Sequence, residues 1–593
     1  MMHRNKSALI QAFDDLCVSR DYPHVGLSPK ADTQFVEANF VAVTAIFDKA
    51  VVVHSLPRSL ICAYGEPRIS LFCTEKGTFT CSACKLVKYC SKQCQREHWL
   101  EHKKVCKHSI RLLQWQPAWV AERRQPLFIS APDFKTECHL WGNVPAYDLL
   151  NISSNKESCD HDLSICFPAS GDLRNIILTV NNLPFDYNHD LTILLNDGEP
   201  NIVIRNIMLL LILGSTLNPM DAANVALHFW YSVYLPEEYF TFIVFRMGDF
   251  SAHAMNHKEE SYSTKIGSRA VLSGEMSKRF FHLMTQMPLN ASYGVQGVKR
   301  EMNRVRFGPV QNDRYDSRYE RLGPSYRLAS HEYRKFGLVL PFAARRDRFN
   351  TPNHSLFSPE GKWLQDDLAD PLQSWDTADV FAAGRHYGVP QADVYGCLYF
   401  YLRDQLSSFA ERLKTFNISF HLFNLGPSEL ATRISTGYLY KCGISRSILF
   451  DRIDLSNIVE CECVGISKAL TDWEPYLAAC KDATLLAHFR SWFSKQKGGH
   501  LSSVGEDTCS EILSNMLRDN RVRFRLINSA PNGDLETLNG LVCNNPCMMT
   551  YYDNAKAFQT YLNTSGLPES LRQLGLKRKT RHTIVPPCAF NLI

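Results

Sequence analysis

Side chains that could bind a metal are concentrated between residues 62 and 106, a segment that holds seven of the 20 cysteines. Their order gives the pattern Cys73-x7-Cys81-x2-Cys84-x5-Cys90-x3-Cys94-x7-His102-x3-Cys106. Zinc favours tetrahedral sets of thiolate and imidazole ligands at such spacings. A gap of two residues, as between Cys81 and Cys84, lets a tight turn direct both sulfurs at one ion. The pattern therefore predicts zinc binding, with metal-free buried or reactive thiols as the alternative.

A helix is expected to carry the last ligands of this segment. Ser91 is a good N-cap residue, and the residues after it predict a helix to about Lys104. Such a helix begins near Cys94 and presents His102 and Cys106, four residues apart, on one face. The ligand order fits two interleaved ions. A catalytic zinc needs an open position for water, whereas a site with four protein ligands is closed, so we expect a structural role.

The stretch from Tyr89 to Cys106, YCSKQCQREHWLEHKKVC, resembles the MYND family of cross-braced zinc fingers. This resemblance implies two zinc ions, the first held by Cys81, Cys84, His102 and Cys106, and the second held at three corners by Cys73, Cys90 and Cys94. The family pattern would put the missing thiol at position 70, which is Ser70 here. We predict that Cys62 takes this role, with the loop from Ala63 to Leu71 folding back. A water ligand or an incomplete site is the alternative.

The same resemblance implies a partner for the finger. MYND fingers usually bind short proline-containing peptides, rather than DNA, in a groove beside the helix. Gln95 and Trp99 match the residues that line this groove, and their spacing of four puts both on one helix face. Packing of Trp99 within the small finger core is the alternative. His98 and the pair Lys103-Lys104 are expected to form a solvated face of the helix.

The overall composition limits the class of protein. Hydrophobic residues make up 45% and charged residues 21% of the 593 residues, which is typical of folded chains of several domains. The net charge of +5 is small and gives no reason to expect direct nucleic-acid binding. The start of the chain lacks an apolar signal core, and the longest apolar stretch, Ile207 to Leu213, is too short to span a membrane. We therefore expect an intracellular protein, cytoplasmic or nuclear.

Composition shifts divide the chain into segments. We expect an N-terminal segment (1–61), the finger (62–106), a proline-interrupted connector with anchoring aromatics (107–138), an α/β domain (139–260), an Arg/Tyr-rich surface excursion or lid (261–350) and a C-terminal α/β region (351–593). Buried strands are predicted at Leu163–Phe167 and Leu191–Leu195. In the last region, Tyr395–Phe416 has helical spacing and His421–Leu425 has the pattern of a strand.

The first predicted strand of the α/β domain is followed by a possible cofactor loop. A strand that runs into Gly171 and then into a helix is the geometry in which nucleotide-type cofactors approach backbone amides, and Asp197 closes the next strand where ribose-binding carboxylates occur. The combination resembles class I S-adenosylmethionine-dependent methyltransferases and implies cofactor contacts from Gly171, Asp172 and Asp197. The alternatives are an ion pair between Asp172 and Arg174 and a simple turn at Asp197. Because the loop has only one glycine, we expect S-adenosylmethionine to bind weakly or not at all.

A second resemblance covers most of the chain. It is to an uncharacterised fungal family that joins a MYND finger to a domain related to the amino-terminal region of dynein axonemal assembly factors. The phrases that carry it are Leu140-Trp-Gly-Asn143, Pro145-Ala-Tyr-Asp148, Gly171-Asp-Leu-Arg-Asn175, Asn196-Asp197, Arg205-Asn206, Trp230-Tyr231, Leu338-Val-Leu-Pro-Phe342 and Phe450-Asp-Arg-Ile-Asp-Leu-Ser-Asn457. None of them is a catalytic signature.

Two functional hypotheses follow from these patterns. In the first, the chain is a zinc-finger adaptor for protein–protein interaction, and its Rossmann- or methyltransferase-like α/β body is a non-catalytic scaffold. In the second, the body is an active methyltransferase and the finger recruits its substrate. The glycine-poor loop favours the adaptor. The sequence contains no Walker loop, His-Glu-x2-His helix or SET-type motif that would favour another class of enzyme.

Overall fold

The structure is a computed structural model, and it describes residues 59–66, 71–129, 138–155, 159–255, 260–289, 293–500 and 552–579, with the single positions 503, 504, 511, 514, 518 and 584. Almost all of the expected N-terminal segment 1–61, and Ser70 with it, lies outside these residues. The finger and the body that follows it belong to one unit, residues 55–593.

The cysteine-rich segment folds into two short hairpins and one helix. These elements are β1 (Gly65–Glu66), β2 (Leu71–Phe72), β3 (Phe79–Thr80), β4 (Lys88–Tyr89) and α1 (Lys92–Cys106). β1 pairs with β2 and β3 pairs with β4, both antiparallel. The helix begins where the Ser91 hydroxyl accepts a hydrogen bond from the backbone N of Cys94 at 3.2 Å, which confirms the predicted cap. It ends at Cys106, two residues beyond the predicted end.

The body is built on a seven-stranded mixed sheet. Its strands are β5 (Leu163–Phe167), β6 (Asp190–Asn196), β8 (Ser261–Ile266), β9 (Ala270–Glu275), β11 (Asn417–Phe423), β12 (Arg452–Asp454) and β13 (Thr484–Leu486); β7 (Tyr234–Pro236) and β10 (Phe349–Pro352) pair separately. The order is β13-β12-β5-β6-β11-β9-β8, with all neighbours parallel except the edge pair β8 and β9. The predicted α/β class is correct.

The strand order differs from the Rossmann order. In the Rossmann fold, consecutive strands extend outward from the centre on each side. Here β11 lies between β6 and β9, although the chain reaches both of those strands first. The sheet also draws its strands from 163–275 and from 417–486, so the regions expected as separate at 139–260 and 351–593 share one sheet. Long-range strand insertion of this kind leaves no local signal in the sequence.

Helices pack around this sheet. In chain order they are α2 (Ala118–Glu122), α3 (Ile152–Asn155), α4 (Arg174–Asn182), α5 (Pro200–Leu213), α6 (Pro219–Tyr231), α7 (Glu237–Met255), α8 (Lys278–Leu289), α9 (Val295–Phe307), α10 (Pro309–Glu320), α11 (Pro324–Phe336), α12 (Thr377–His386), α13 (Val394–Thr415), α14 (Pro427–Ser435), α15 (Ile466–Trp473), α16 (Trp492–Lys495), α17 (Ala555–Thr564) and α18 (Leu567–Gln573). The long α13 packs on α4, α5 and α6, while α14 and α15 share a buried cluster with Cys166, Leu194 and Phe423 of the strands. None of the described helices is long and apolar enough to cross a membrane.

The Arg/Tyr-rich stretch is not the surface excursion that its composition suggested. Its first residues form β8 and β9, and its helices α10 and α11 pack on the connector that follows the finger. The Arg124 guanidinium donates to both carboxylate oxygens of Asp313 at 2.6 and 2.8 Å. Arg327 donates to the carbonyls of Ile110 and Leu112 at 3.0 and 2.9 Å. We call these contacts the joint, because they fix the connector to the body.

Candidate zinc centres

The first group of potential ligands is fully buried beneath the finger helix. It consists of Cys81, Cys84, His102 and Cys106, whose ligand atoms lie within 4.8 Å of one another. His102 Nε2 lies 3.4 Å from Cys81 Sγ and 3.6 Å from Cys84 Sγ. The tight turn after Cys81 supplies two thiols, and the last turn of α1 supplies the other two ligands. The sequence predicts this grouping from spacing and resemblance.

The second group includes Cys62, the thiol predicted to replace the one that the family pattern lacks. Cys62, Cys73, Cys90 and Cys94 have their sulfur atoms within 4.8 Å of one another. Cys73 Sγ lies 3.6 Å from Cys90 Sγ, which lies 3.4 Å from Cys94 Sγ. Two backbone hydrogen bonds hold Cys62 near Cys73: the backbone N of Cys62 donates to the carbonyl of Glu75, and that of Cys73 donates to the carbonyl of Tyr64. The thiol of Cys62 thereby lies together with the other three sulfur atoms. Residues 67–70 of the loop that was expected to fold back lie outside the described residues.

Both groups fit tetrahedral zinc. Ligands about 2.3 Å from a central ion stand roughly 3.8 Å apart at tetrahedral angles, and the measured spacings of 3.4 to 3.6 Å are close to this value. Each group offers four protein ligands, so neither leaves an open position of the kind that catalysis needs. The MYND finger therefore contains two Cys/His clusters that are compatible with two zinc ions.

The protonation of the thiols makes metal binding proton-linked. Hydrogen bonds with Cys84 and His102 lower the pKa of Cys81 to about 3. The hydrogen bond between the two thiols has the opposite effect on Cys84, whose pKa is raised by this bond and by burial. Burial raises the pKa of Cys62 to about 12. These shifts favour the protonated form of Cys62 and Cys84 in the metal-free finger. Zinc must displace these protons, so its affinity falls as the pH falls.

Residues outside the ligand set support the clusters, and sequence reasoning missed them. The Tyr89 hydroxyl, nearly fully buried, lies 3.1 Å from His98 Nδ1. Arg111 donates from Nε to the carbonyl of Cys106 at 2.8 Å and from Nη1 to the carbonyl of Ala83. Arg111 thereby joins the turn that carries Cys81 and Cys84 to the end of α1, which carries Cys106. His98 is half-buried, contrary to the expected solvated face, whereas Lys103 and Lys104 are exposed as expected.

The residues expected to contact a peptide lie on the outer surface of α1. Trp99 is 36% exposed, and its indole ring stands 5.9 Å from the His102 ring in an edge-to-face arrangement. Gln95, one turn earlier, is partly exposed. The adjacent Leu100 is 66% exposed. The indole thus packs against His102 of the first cluster with one side and faces solvent with the other. Trp99 therefore both packs within the finger and is accessible to a partner, as the two interpretations of this residue require.

The residues expected to bind a cofactor lie together at the carboxyl edge of the sheet, but their polar groups are engaged. Asp197 accepts hydrogen bonds from the backbone N of Gly171 at 3.0 Å and of Glu199 at 2.9 Å. Asp172 accepts from Arg174 Nη1 at 2.6 Å and from the backbone N of Gly142 at 2.8 Å. The ion pair that was the alternative for Asp172 is therefore present. These contacts do not support S-adenosylmethionine binding.

Other polar side chains meet at the same edge, and no motif in the sequence predicts this meeting. The Tyr147 hydroxyl donates to Asp454 and lies 2.9 Å from His488 Nε2. Burial raises the pKa of Tyr147 well above its ordinary value. A Cβ on Gly142 would collide with the guanidinium of Arg174, so a larger residue there would have to displace this side chain from Asp172. Segments that carry the second resemblance thus contact one another although they are far apart in sequence: residues 140–143 contact 171–175, and residues 145–148 contact 450–457.

The fold and the clusters define the class of this protein: a MYND zinc finger followed by an α/β body. Residues 71–106 match the MYND finger family, and residues 140–235 match a family described as a domain of unknown function, DUF4470. Cys62 lies outside the MYND match. A stretch of 59 residues is 36% identical to Tudor domain-containing protein 1 of Danio rerio, covering 10% of this chain and 5% of that protein. The chain thus spans about a twentieth of the length of that relative. No solved structure matches this chain.

Proposed function

We propose that this chain is a zinc-dependent adaptor for protein–protein interaction. The observation that carries the proposal is the combination of two closed four-ligand clusters with an exposed Trp99 on the helix that both clusters share. In this role, zinc holds the finger in shape and the outer face of α1 binds the partner. The chain acts in a reducing compartment, the cytoplasm or the nucleus, where its clustered thiols stay available for metal.

The eight residues that approach one another in two groups are proposed as the zinc ligands. Cys81, Cys84, His102 and Cys106 hold one ion, and Cys62, Cys73, Cys90 and Cys94 hold the other. Four thiolates around a divalent ion are a common structural zinc site. Cys62 therefore completes a site that would otherwise have three ligands.

The partner is proposed to be a short proline-containing peptide of another protein. An exposed indole beside an amide side chain is suited to such a peptide, because an aromatic face packs well on a proline ring while an amide bonds the neighbouring backbone. Gln95 and Trp99 have this arrangement on α1.

The body is proposed to act as a scaffold that fixes the direction of this face. The joint ties the connector to the body through the pair of Arg124 with Asp313 and the bonds of Arg327. At the sheet edge, both oxygens of Asp197 and of Asp172 are engaged within the chain. As part of this proposal, the body is related to the fungal family and to the amino-terminal region of dynein assembly factors.

The test is binding of the zinc-loaded full chain to an array of short proline-containing peptides, followed by affinity measurement on the best binder. Trp99→Ala should weaken binding at least tenfold, since exposed tryptophans dominate such contacts. Leu100→Ala is the matched control, because this neighbour is more exposed and lies off the face shared by Gln95 and Trp99. Capture that is unchanged by Trp99→Ala, with zinc content intact, would contradict the proposal.

The methyltransferase alternative has one observation in its favour. Helix α4 begins three residues after Gly171, whose φ of +55° turns the chain at the carboxyl end of β5, and a Cβ there would meet no atom within 4 Å. Open space beside a helix start is where a cofactor would lie. Calorimetry that detected low-micromolar S-adenosylmethionine, lost in a folded Asp197→Ala variant, would favour this alternative over the scaffold.

A further inference from the structure

A cavity of about 410 Å³ lies between the finger and the body. Its finger wall comes from residues 59–65, 72–73 and the side of α1 that carries His98 and Val105. Its body wall comes from residues 341–346 after α11 and from Tyr399 and Phe400 of α13. We call it the interface cavity. Its volume falls in the range of small-ligand sites, roughly 300–1,000 Å³.

The walls of the interface cavity are mainly apolar, and their charges are already paired. Glu332 bonds Arg346 at 2.8 Å, Arg345 bonds Asp347 at 2.6 Å, and Glu101 bonds Lys104 at 2.7 Å. An ionic ligand would have to break one of these pairs or lie beside them without a counter-charge. The charge pattern therefore suits an uncharged ligand with mostly apolar surface.

The interface cavity is separate from the proposed peptide face. Gln95 and Trp99 do not line it, and on the helix they lie to one side of His102, whereas His98 and Val105 lie to the other. It does adjoin the metal clusters. Cys62, Cys73 and His102, from both groups of four, form part of its lining.

We propose that the interface cavity binds an uncharged, predominantly apolar small molecule, and that this binding is coupled to zinc retention through Cys62 and Cys73. The coupling rests on the proposed function, because it requires zinc at the second cluster. A molecule in the cavity packs against the backbone that carries Cys62 and holds it in the folded-back position. By linkage, a ligand that favours the zinc-loaded arrangement tightens zinc binding, and zinc in turn tightens binding of the ligand. Because the ligand holds the chain around Cys62 in place, we expect the tighter zinc binding to appear as slower metal release.

The experiment uses the zinc-loaded full chain and the uncharged apolar dye Nile red. We expect saturable binding with enhanced fluorescence, weakened at least tenfold by Ala344→Phe, which fills the cavity from its body wall. Ala343→Leu is a milder filling variant, in case Ala344→Phe fails to fold. Ala382→Phe, at an exposed alanine of α12 outside the lining, is the matched control and should leave binding unchanged. Saturating dye should slow release of one of the two zinc ions to a chelator at least threefold.

The outcomes separate this proposal from the one on which it rests. Dye binding that is unchanged by both filling variants, or zinc release that is unchanged by the dye, would overturn the cavity proposal while leaving the adaptor proposal intact. Displacement of the dye by the peptide that requires Trp99 would assign the cavity to that peptide and would also overturn it. A zinc content of one ion per chain or fewer, with no dye present, would instead contradict the proposed function.

Discussion

The zinc finger and the carboxyl edge of the sheet are the two regions where this sequence concentrates chemistry, and they are assembled in different ways. The eight Cys and His side chains of the two clusters all come from one stretch, residues 62–106. At the sheet edge, Tyr147 meets Asp454, which is 307 positions away in the chain. The finger is defined by residue types at short spacing, whereas the edge is defined by which strands become neighbours.

This difference determines how much a residue type reveals about its role. A cluster of thiols has few structural uses other than metal binding, so its pattern is specific. A carboxylate at the end of a strand can bind a ribose or can bond nearby backbone amides. Asp197 and Asp172 do the second, and only the folded arrangement distinguishes the two. Sequence patterns are therefore most informative where the side chain has the fewest alternatives.

Removal of zinc should have the largest effect and should separate the two regions. We expect a strong chelator to remove about two zinc ions and to unfold residues 62–106, because structural zinc in such small folds contributes about 10 kcal/mol or more of folding free energy. The sheet should stay folded, since the buried cluster beside it contains none of the proposed zinc ligands. Hydrogen exchange by mass spectrometry checks both regions, and elemental analysis checks the metal.

Cys62→Ser provides the internal control for that experiment. It should reduce the zinc content toward one ion while leaving the cluster of Cys81, Cys84, His102 and Cys106 loaded. If the finger stayed protected from exchange after chelation, or if Cys62→Ser left the content unchanged, the metal-based account of the finger would be wrong.

Breaking the joint should have the next largest effect. The joint connects the finger, whose ligands are close together in sequence, to the body, whose strands are far apart in sequence. Arg124→Ala leaves the carboxylate of Asp313, which is 1% exposed, without its cation. Because Arg124 is itself 30% exposed, breaking this half-buried pair should cost about 2–3 kcal/mol in unfolding free energy, less than the loss of a fully buried pair. Denaturant unfolding measures this cost, and limited proteolysis of the connector should become faster.

Two variants sharpen the prediction for the joint. Arg123→Ala, at the exposed neighbouring arginine, should cost well under 1 kcal/mol. Asp313→Asn combined with Arg124→Ala removes the isolated charge and should restore part of the loss. Equal effects of Arg123→Ala and Arg124→Ala would show that the buried pair does not hold the connector.

At the sheet edge, Asp197→Ala should cost about 2 kcal/mol, because it leaves the backbone N atoms of Gly171 and Glu199 without an acceptor. Asp197→Asn keeps one acceptor and should cost about half as much. Both values come from denaturant unfolding, and we expect no calorimetric signal with S-adenosylmethionine for the parent chain. A folded Asp197→Ala variant with unchanged stability would mean that this carboxylate is held for a ligand instead.

Sequence alone predicted the local features of this fold well. The strand at Leu163–Phe167 was predicted with its observed ends, and Ser91 caps the finger helix as expected. The strand expected at His421–Leu425 is β11 at Asn417–Phe423, displaced toward the N-terminus. Such features depend on neighbouring residues, which a pattern can capture.

Features that depend on distant contacts were missed or misjudged. The Arg/Tyr-rich stretch looked like a surface excursion because arginine is usually exposed. In the fold, Arg306, Arg327 and Arg334 are buried and donate to backbone carbonyls of other segments, so their charge is no guide to exposure. The strand order and the meeting of Tyr147 with Asp454 and His488 likewise require the complete sheet. No local pattern in the sequence indicates which carbonyl will accept a hydrogen bond from a buried arginine.

The smallest predicted effect tests how far the finger depends on its metal rather than on its own helix. The Ser91 hydroxyl accepts from the backbone N of Cys94, a proposed ligand of the second zinc, so the cap orders the chain on which that thiol sits. Ser91→Ala should cost about 1 kcal/mol, the usual price of losing an N-cap. Ser91→Thr keeps the hydroxyl and should cost much less. Since 1 kcal/mol corresponds to about a fivefold change in an equilibrium constant, competition with a chelator should show zinc affinity about fivefold weaker at one site in Ser91→Ala. An unchanged affinity would mean that the metal orders this turn without help, whereas a loss of both ions would mean that the helix start supports the whole finger.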